Sequence, residues 1–249
     1  PIFDQIMGRT QVIPAIGTGL RRHAPVSRRR ARDLSTKVVK LPEHQAIYHR
    51  IRNLILFGTL VPGQAVTIQG LAELIGAGMT PVREAIRRLT AEGALEAGGN
   101  RRVRVPQITR QNLDEISFVR LAVEPKLAEI AASRMTDACL AELQTHDTEV
   151  DEAIRTGDIE HYLRHNYRFH FRLYDQADAE ILRKIAASLW LQVGPSLRIV
   201  VGRFGTANLP DKHSEALAAL REGNATHAAS AIADDIRQGL GQVRLTLAD

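Results

Sequence analysis

The sequence is poor in the residues that build covalent or metal–thiolate frameworks. Among its 249 residues, Cys139 is the one cysteine. That excludes a disulfide scaffold and a thiolate zinc cluster, and it fits a reducing compartment. Aromatic side chains make up only 4%, so a core must come from Ala, Leu, Ile and Val, a composition that favours helix over sheet. No apolar run approaches the ~18 residues of a membrane span. The N-terminal stretch lacks the basic-then-apolar order of a secretory signal, and glycine-rich phosphate motifs are missing as well. The expectation is a cytoplasmic protein with no membrane partner. With 44% apolar residues the chain can bury a real core, and its length is comfortable for two domains.

Acidic residues are scarce where basic ones gather. Residues 1–40 carry nine Lys or Arg against Asp4 and Asp33, a net +7, residues 41–106 a net +3, and residues 107–249 a net −5. Cations loaded into the first 106 residues suit an end that meets phosphates, although the same charge would also serve a solubilising tail. Residues 1–41 lack sustained periodicity, scatter Pro and Gly, and cluster Arg28, Arg29, Arg30 and Arg32. They read as a basic flexible arm.

Residues 42–106 read as a winged helix-turn-helix. Ile47, Ile51, Leu54 and Ile55 recur at helical spacing up to Gly58, and Val61-Pro62-Gly63 makes a turn. Thr67 can cap a short helix through Leu71, Leu74 and Ile75, which Gly76-Ala77-Gly78 ends. The next helix carries a start signal: Thr80 as cap, Pro81 at the first helical position and Glu84 in the first turn. Two helices around a tight glycine turn make a helix-turn-helix. After Gly93, the turn residues Gly98-Gly99-Asn100 and the alternation Arg102, Val103, Arg104, Val105 spell a hairpin with cations on one face. In the second helix Val82, Ala85, Ile86 and Leu89 form the buried stripe, which leaves Arg83, Arg87 and Arg88 outside. Arg83 is the candidate for a guanine edge, because its planar fork matches O6 and N7. Thr80, Arg87, Arg88 and the wing residues Arg101, Arg102 and Arg104 complete the DNA-binding set.

Residues 107–249 read as an all-helical antiparallel bundle, so the fold class is mainly α. Candidate helices span 109–134, 136–156, 158–177, 179–203, 211–222 and 224–247, with Thr109 and Thr136 as caps and Gly157 and Gly223 as stops. Helical phase then singles out polar residues on apolar faces. Asn166 and His170 fall in the middle of the face made by Ile159, Tyr162, Leu163, Leu173 and Tyr174, whereas His161 and His165 fall opposite and read as surface. His213 shares a face with Ala216, Leu217 and Leu220, and Asp235 with Ala228, Ala231, Ile232 and Val243. Buried polar groups need partners. A divalent metal would satisfy all four, and ligation by N and O without sulfur suits zinc, nickel or manganese. A hydrogen-bonded polar pocket without metal is the alternative. Arg120 and Glu124 also point inward; Arg120 can bind a carboxylate bidentately or pair with other core groups. Arg198 and Arg203 are further candidates.

Residues Ile47 to Val105 resemble the GntR family of bacterial regulators. The hallmarks stand here as Gly58-Thr59-Leu60-Val61-Pro62-Gly63, Leu71-Ala72-Glu73-Leu74-Ile75-Gly76 and Thr80-Pro81-Val82-Arg83-Glu84-Ala85-Ile86-Arg87-Arg88-Leu89. Residues 110–240 are similar to the helical effector domain of its fatty-acid-regulator subfamily, the FCD domain. The resemblance implies a sequence-specific transcriptional regulator that binds a double-stranded DNA operator as a homodimer and senses a small organic acid. It also implies a metal motif: Asn166 and His170 match Asp/Asn-x3-His, His213 the next histidine, and Asp235 stands where the family has a last one. Other departures are Gly78-Met79 for the usual Ser-Arg before Thr-Pro, Gln69 where a DNA-contacting Arg can stand, and Arg101-Arg102 for Arg-Gly. They imply an operator that differs from the family's common pattern. A competing reading of the same residues is a metal-dependent helical-bundle enzyme with a DNA-binding tether.

Overall fold

The computed structural model describes residues 42–98, 102–204 and 210–247. The arm expected over residues 1–41, the turn residues Gly99 and Asn100, and Arg101 lie outside them. Helix α1 (Glu43–Leu56) buries Ile47, Ile51 and Ile55. Strand β1 (Ala65–Thr67) leads into α2 (Ile68–Ile75), where the Thr67 hydroxyl accepts the Gly70 N–H at 2.9 Å. Gly76, at φ 59°, closes α2 in the left-handed conformation that glycine adopts without steric cost.

Helix α3 (Met79–Ala91) buries Val82, Ala85, Ile86 and Leu89, the stripe that the spacing predicts. Its start differs from the expectation. Gly78 is the N-cap, and Thr80 is an exposed residue within the first turn, two places into the helix. Pro81 then sits third rather than first. The helix can begin earlier because no N–H of the first turn has an intrahelical acceptor, so the missing proline donor costs nothing there.

Strands β2 (Glu96–Gly98) and β3 (Arg102–Arg104) form the expected hairpin, and β1 adds to its far edge. The register pairs Thr67 with Arg102 and Ala65 with Arg104 on one side, and Glu96 with Arg104 on the other. The third strand was not legible in the sequence: three residues are too few to show alternation. Ala94, Leu95 and Val105 are buried at the base of the wing.

Helices α4 (Arg110–Ala132), α5 (Asp137–Thr156), α6 (Ile159–Gln176), α7 (Glu180–Phe204), α8 (Lys212–Arg221) and α9 (Ala225–Arg244) follow. Thr109 caps α4 in a reciprocal box with Asn112, and Thr136 caps α5 through the Cys139 N–H. Gly157 ends α5 at φ 72°, and Gly223 follows α8 at φ 68°. Helix α9 packs along α4, α5 along α6, and α8 bridges α5 and α9.

Helix α7 also packs against α1, which joins the bundle to the helix-turn-helix. Gly194 makes that approach close, since a Cβ there would lie 2.6 Å from the Leu56 carbonyl oxygen. Gly194→Val should therefore cost ~1–3 kcal/mol as the helices are forced apart. Gly241→Ala in α9, where a Cβ meets nothing within 4 Å, should instead stabilise by ~0.5–1 kcal/mol. Denaturant unfolding of both variants checks this. Equal effects would show that the α1–α7 approach constrains nothing.

Candidate nucleic-acid interface and candidate metal centre

Arg83, Arg87 and Arg88 all stand exposed on α3, but their surroundings differ. Arg87 pairs with Glu84 at 3.0 Å. Arg88 pairs with Glu92 at 2.9 Å and lies 3.8 Å over the Tyr48 ring, while the Tyr48 hydroxyl donates to Glu92 at 2.6 Å. This cluster ties α1 to α3, so Arg88 has a packing task in addition to its charge. Burial together with Glu92 pushes the Tyr48 hydroxyl up to about 12. Arg104 pairs across the wing with Glu96 at 2.6 Å. Arg83 and Arg102 take part in no ion pair among the described residues, so their forks remain uncommitted.

The second constellation lies inside the bundle. The fully buried Glu124 of α4 accepts from Arg120 Nε and Nη2 at 2.5 and 3.1 Å, from the Tyr174 hydroxyl at 2.6 Å and from Trp190 Nε1 at 2.9 Å. Arg120 also stacks on Trp190 at 4.5 Å. Next in the chain of bonds, His170 Nδ1 meets the Tyr174 oxygen at 3.1 Å. Tyrosine has one hydroxyl proton and a carboxylate accepts only, so that proton goes to Glu124 and the Tyr174 oxygen accepts from His170. The network thereby assigns the Nδ1–H tautomer to His170 and leaves a lone pair on Nε2.

His213 is oriented in the same way from another helix. Its Nδ1 faces the buried Asp147 carboxylate at 3.3 Å, and its ring stacks on Phe169 at 3.9 Å. Asp147 cannot donate, so Nδ1 carries the proton and Nε2 again points away from it. The two Nε2 atoms lie 3.3 Å apart. Asp235 of α9 brings its oxygens to 3.1 Å from His170 Nε2 and 3.9 Å from His213 Nε2. Ligands about 2.0–2.1 Å from zinc in a tetrahedron sit roughly 3.3–3.4 Å from one another, so this donor set fits a divalent ion. Holding the distal nitrogens by carboxylate and hydroxyl is the usual outer shell of metal-binding histidines.

The buried setting moves all three groups away from their ordinary values. Burial resists charge on Asp235, but the adjacent His170 ring and the nearby His213 and Arg120 outweigh it and bring the carboxyl down to about 2. Burial lowers His170. It also opposes charge on His213, where Asp147 and Asp235 prevail and hold the ring above its ordinary value. Asn166, one turn before His170, makes no side-chain hydrogen bond among the described residues and lines the adjoining cavity of about 280 Å³ with Arg120, His213 and Asp235. That cavity is bordered by four aspartates, Asp147, Asp151, Asp211 and Asp235, against Arg120 and Lys212, which Glu124 and Glu215 already engage. Arg198 lies against Gly58, outside the cavity lining, and the side chain of Arg203 lies outside the described residues.

His161 and His165 were expected in solvent, and for His165 that is corrected. Both lie on the face away from His170, as the phase requires, but α5 covers it. His165 is 8% exposed and His161 half-buried. Burial, with His161, Arg168 and His146 nearby, lowers His165 to about 4. Asp147 escaped notice although it lies on the α5 face of Leu143 and Val150, a position that phase alone could have found. Arg52 and Tyr167 also went unread. Arg52 Nη2 donates to the Tyr167 hydroxyl at 2.9 Å in the buried join between α1 and α6.

Comparison with known proteins bears on both constellations. Residues 43–105 match the family described as bacterial regulatory proteins, gntR family, and residues 115–238 match the FCD domain. The HTH-type transcriptional regulator McbR of Escherichia coli K12 is 31% identical over 159 residues, 64% of this chain and 72% of that protein. The Nta operon transcriptional regulator of Aminobacter aminovorans is 31% identical over 130 residues, 51% of this chain and 60% of that protein. The structure of E. coli McbR/YncC superposes with a TM-score of 0.78 at 26% identity, covering 83% of this chain and 99% of that one. A GntR regulator structure from Rhodococcus sp. RHA1, with a TM-score of 0.68 at 18% identity over 82% and 99% of the chains, shares the fold.

The geometry separates two arginines of α3. Arg83→Ala should cost ~1–3 kcal/mol of specific DNA binding and leave thermal stability unchanged. Arg88→Ala should lower the melting temperature as well, because it empties the Tyr48 face. Melting curves and gel-shift titrations of both variants check this; an unaltered melt for Arg88→Ala would leave it a charge only.

Proposed function

The chain belongs to the GntR family of bacterial regulatory proteins and carries an FCD domain, and we propose that its helical part senses a small organic acid through a bound divalent metal. As a member of that family the protein is a DNA-binding transcriptional regulator. On our reading, residues 1–41 are a basic arm, 42–106 the DNA-binding domain, and 107–249 the effector-binding and dimerisation domain. Arg83 reads a base edge from α3. Thr80, Arg87, Arg101, Arg102 and Arg104 meet phosphates, joined by the part of Arg88 that Tyr48 and Glu92 leave accessible. Operators read by helix-turn-helix heads are commonly two-fold, which calls for a homodimer. Phe118 and Ile181, each about three-quarters exposed, are apolar surface for a second copy to cover.

The observation that carries the sensing part is the convergence of the two imidazole Nε2 atoms, 3.3 Å apart, with the Asp235 carboxylate at 3.1 and 3.9 Å from them. His170, His213 and Asp235 would hold the ion, with the Asn166 amide oxygen as a further ligand; zinc, nickel and manganese suit such a set. The ion would supply open positions for an acid's oxygens. This matters because the cavity border is rich in carboxylates, and a bare acid would meet repulsion there. Arg120 would add a cation at the cavity wall, with Nε and Nη2 spent on Glu124 and Nη1 outside that pair.

Sensing must reach the DNA-binding end to matter. Trp190 lies 4.9 Å from the His170 ring and 5.7 Å from Tyr167, and Tyr167 bonds Arg52 and stands edge-on to Phe57 at 6.0 Å. A change at His170 is thus three ring contacts from Phe57 at the end of α1. The relatives named above are regulators, which favours a ligand bound unchanged over the enzyme reading; turnover of a candidate acid by metal-loaded protein would reverse that preference.

Chelator-stripped chain reloaded with zinc should hold one tightly bound ion per chain. His170→Ala and His213→Ala should each abolish tight binding, and Asp147→Asn should weaken it ~10–100-fold by loosening the His213 ring. Citrate, used as a probe acid, should bind the loaded chain and not the stripped one. Elemental analysis and calorimetry read both quantities. Tight binding unchanged in the histidine variants leaves only a hydrogen-bonded polar pocket.

A further inference from the structure

Helices α5 and α6 hold a second set of ligand side chains, on the side of α6 away from His170. His161 and His165 are four residues apart, so one helical face carries both imidazoles a turn apart, and their rings stack at 4.3 Å. Across from them, Glu149 of α5 brings Oε2 to 2.7 Å from His161 Nε2. His146, one turn earlier on α5, sets its ring edge-on to His165 at 5.4 Å. Glu149, His161 and His165 each offer a ligand atom within 4.8 Å of the other two.

Two features distinguish this cluster from a solvated surface pair. His165 is 8% exposed, and its Nδ1 is buried without a hydrogen-bond partner. Its Nε2 meets Arg168 at 3.4 Å, too long for a strong bond, so both nitrogens are under-satisfied. The arrangement is also drawn from two helices, a His-x2-Glu turn facing a His-x3-His turn. Asp147, between His146 and Glu149, points instead to His213, so neighbouring positions of α5 serve two different clusters.

We propose that Glu149, His161 and His165 form a second, peripheral site for a borderline divalent cation of the zinc, nickel or copper class, with His146 placed to complete it. Imidazole-rich N/O sites suit those ions. The His161–Glu149 hydrogen bond must open from 2.7 Å, and the wider spacings, up to 4.8 Å, must adjust toward the roughly 3.3 Å of a tetrahedral edge. The half-exposed His161 and Glu149 can make that movement, while Arg168 gives up its long contact. Binding costs this rearrangement, so the site is weaker than a preorganised one, and an ion there fastens α5 to α6. The proposal stands apart from the metal reading of His170, His213 and Asp235.

The test titrates the full, chelator-stripped chain with Zn²⁺ alone by calorimetry, and with Co²⁺ followed by visible absorption. Two classes of site are expected. His161→Ala should abolish the weaker class and keep the tighter one, Glu149→Gln should weaken it at least tenfold, and His170→Ala should remove only the tighter class. His161 and Glu149 are half-exposed, so these variants fold even if His170→Ala does not. A weaker class that survives both His161→Ala and Glu149→Gln, or its absence from the wild-type chain, overturns the proposal. Loss of a weak class in His161→Ala from a chain that shows no tight class upholds it and counts against the buried centre.

Discussion

The carboxylate of Glu124 organises the helical part of the molecule. A buried charge costs several kcal/mol unless it is paired and fully hydrogen-bonded, and Glu124 meets that condition with four donors from α4, α6 and α7. Its consequences extend beyond holding three helices together. By taking the only proton of Tyr174, it obliges the tyrosine oxygen to accept from His170 and so turns a bare imidazole nitrogen toward His213 and Asp235. Asp147 does the same for His213 from α5. The candidate metal centre is therefore the end product of two buried carboxylates that never enter it.

The same anchor connects that centre to the rest of the chain. Trp190 donates to Glu124, packs on His170 and meets Tyr167, whose ring stacks on Phe171 at 4.1 Å and whose hydroxyl holds Arg52. Arg52 and Phe57 belong to α1 and its end, and Gly194 lets α7 approach Leu56 closely. Packed aromatic rings have few alternative arrangements, so displacement at one end of such a cluster is passed on rather than absorbed. Arg88, Tyr48 and Glu92 then tie α1 to the helix that presents Arg83.

Much of this was legible in residue order, and the failures have physical causes. The stripe Val82, Ala85, Ile86 and Leu89, the caps Thr67, Thr109 and Thr136, and the inward phase of His170 and His213 all follow from local periodicity and short-range hydrogen bonding. The start of α3 was misread because a proline anywhere in the first turn satisfies the same rule, so Thr80 looked like a cap where Gly78 serves. Strand β1 was missed because its order comes from pairing with β3, not from its own three residues. His165 was read as surface because helical phase tells which side a residue faces but not what covers that side. The partnerships of Arg52 with Tyr167 and of Asp147 with His213 join residues far apart in the chain, and no spacing rule reaches them.

The central claim is that the carboxylate network holds His170 and His213 with Nδ1 protonated and both Nε2 atoms directed at one point. Two-bond ¹⁵N–¹H correlation spectra of the histidine rings, recorded before and after addition of Zn²⁺, test it directly. The account predicts the Nδ1–H tautomer for His170 in the metal-free chain, with zinc shifting the Nε2 resonances of both rings while both Nδ1 protons remain. An Nε2–H tautomer at His170, or Nε2 signals at both rings that zinc leaves unmoved, would contradict it.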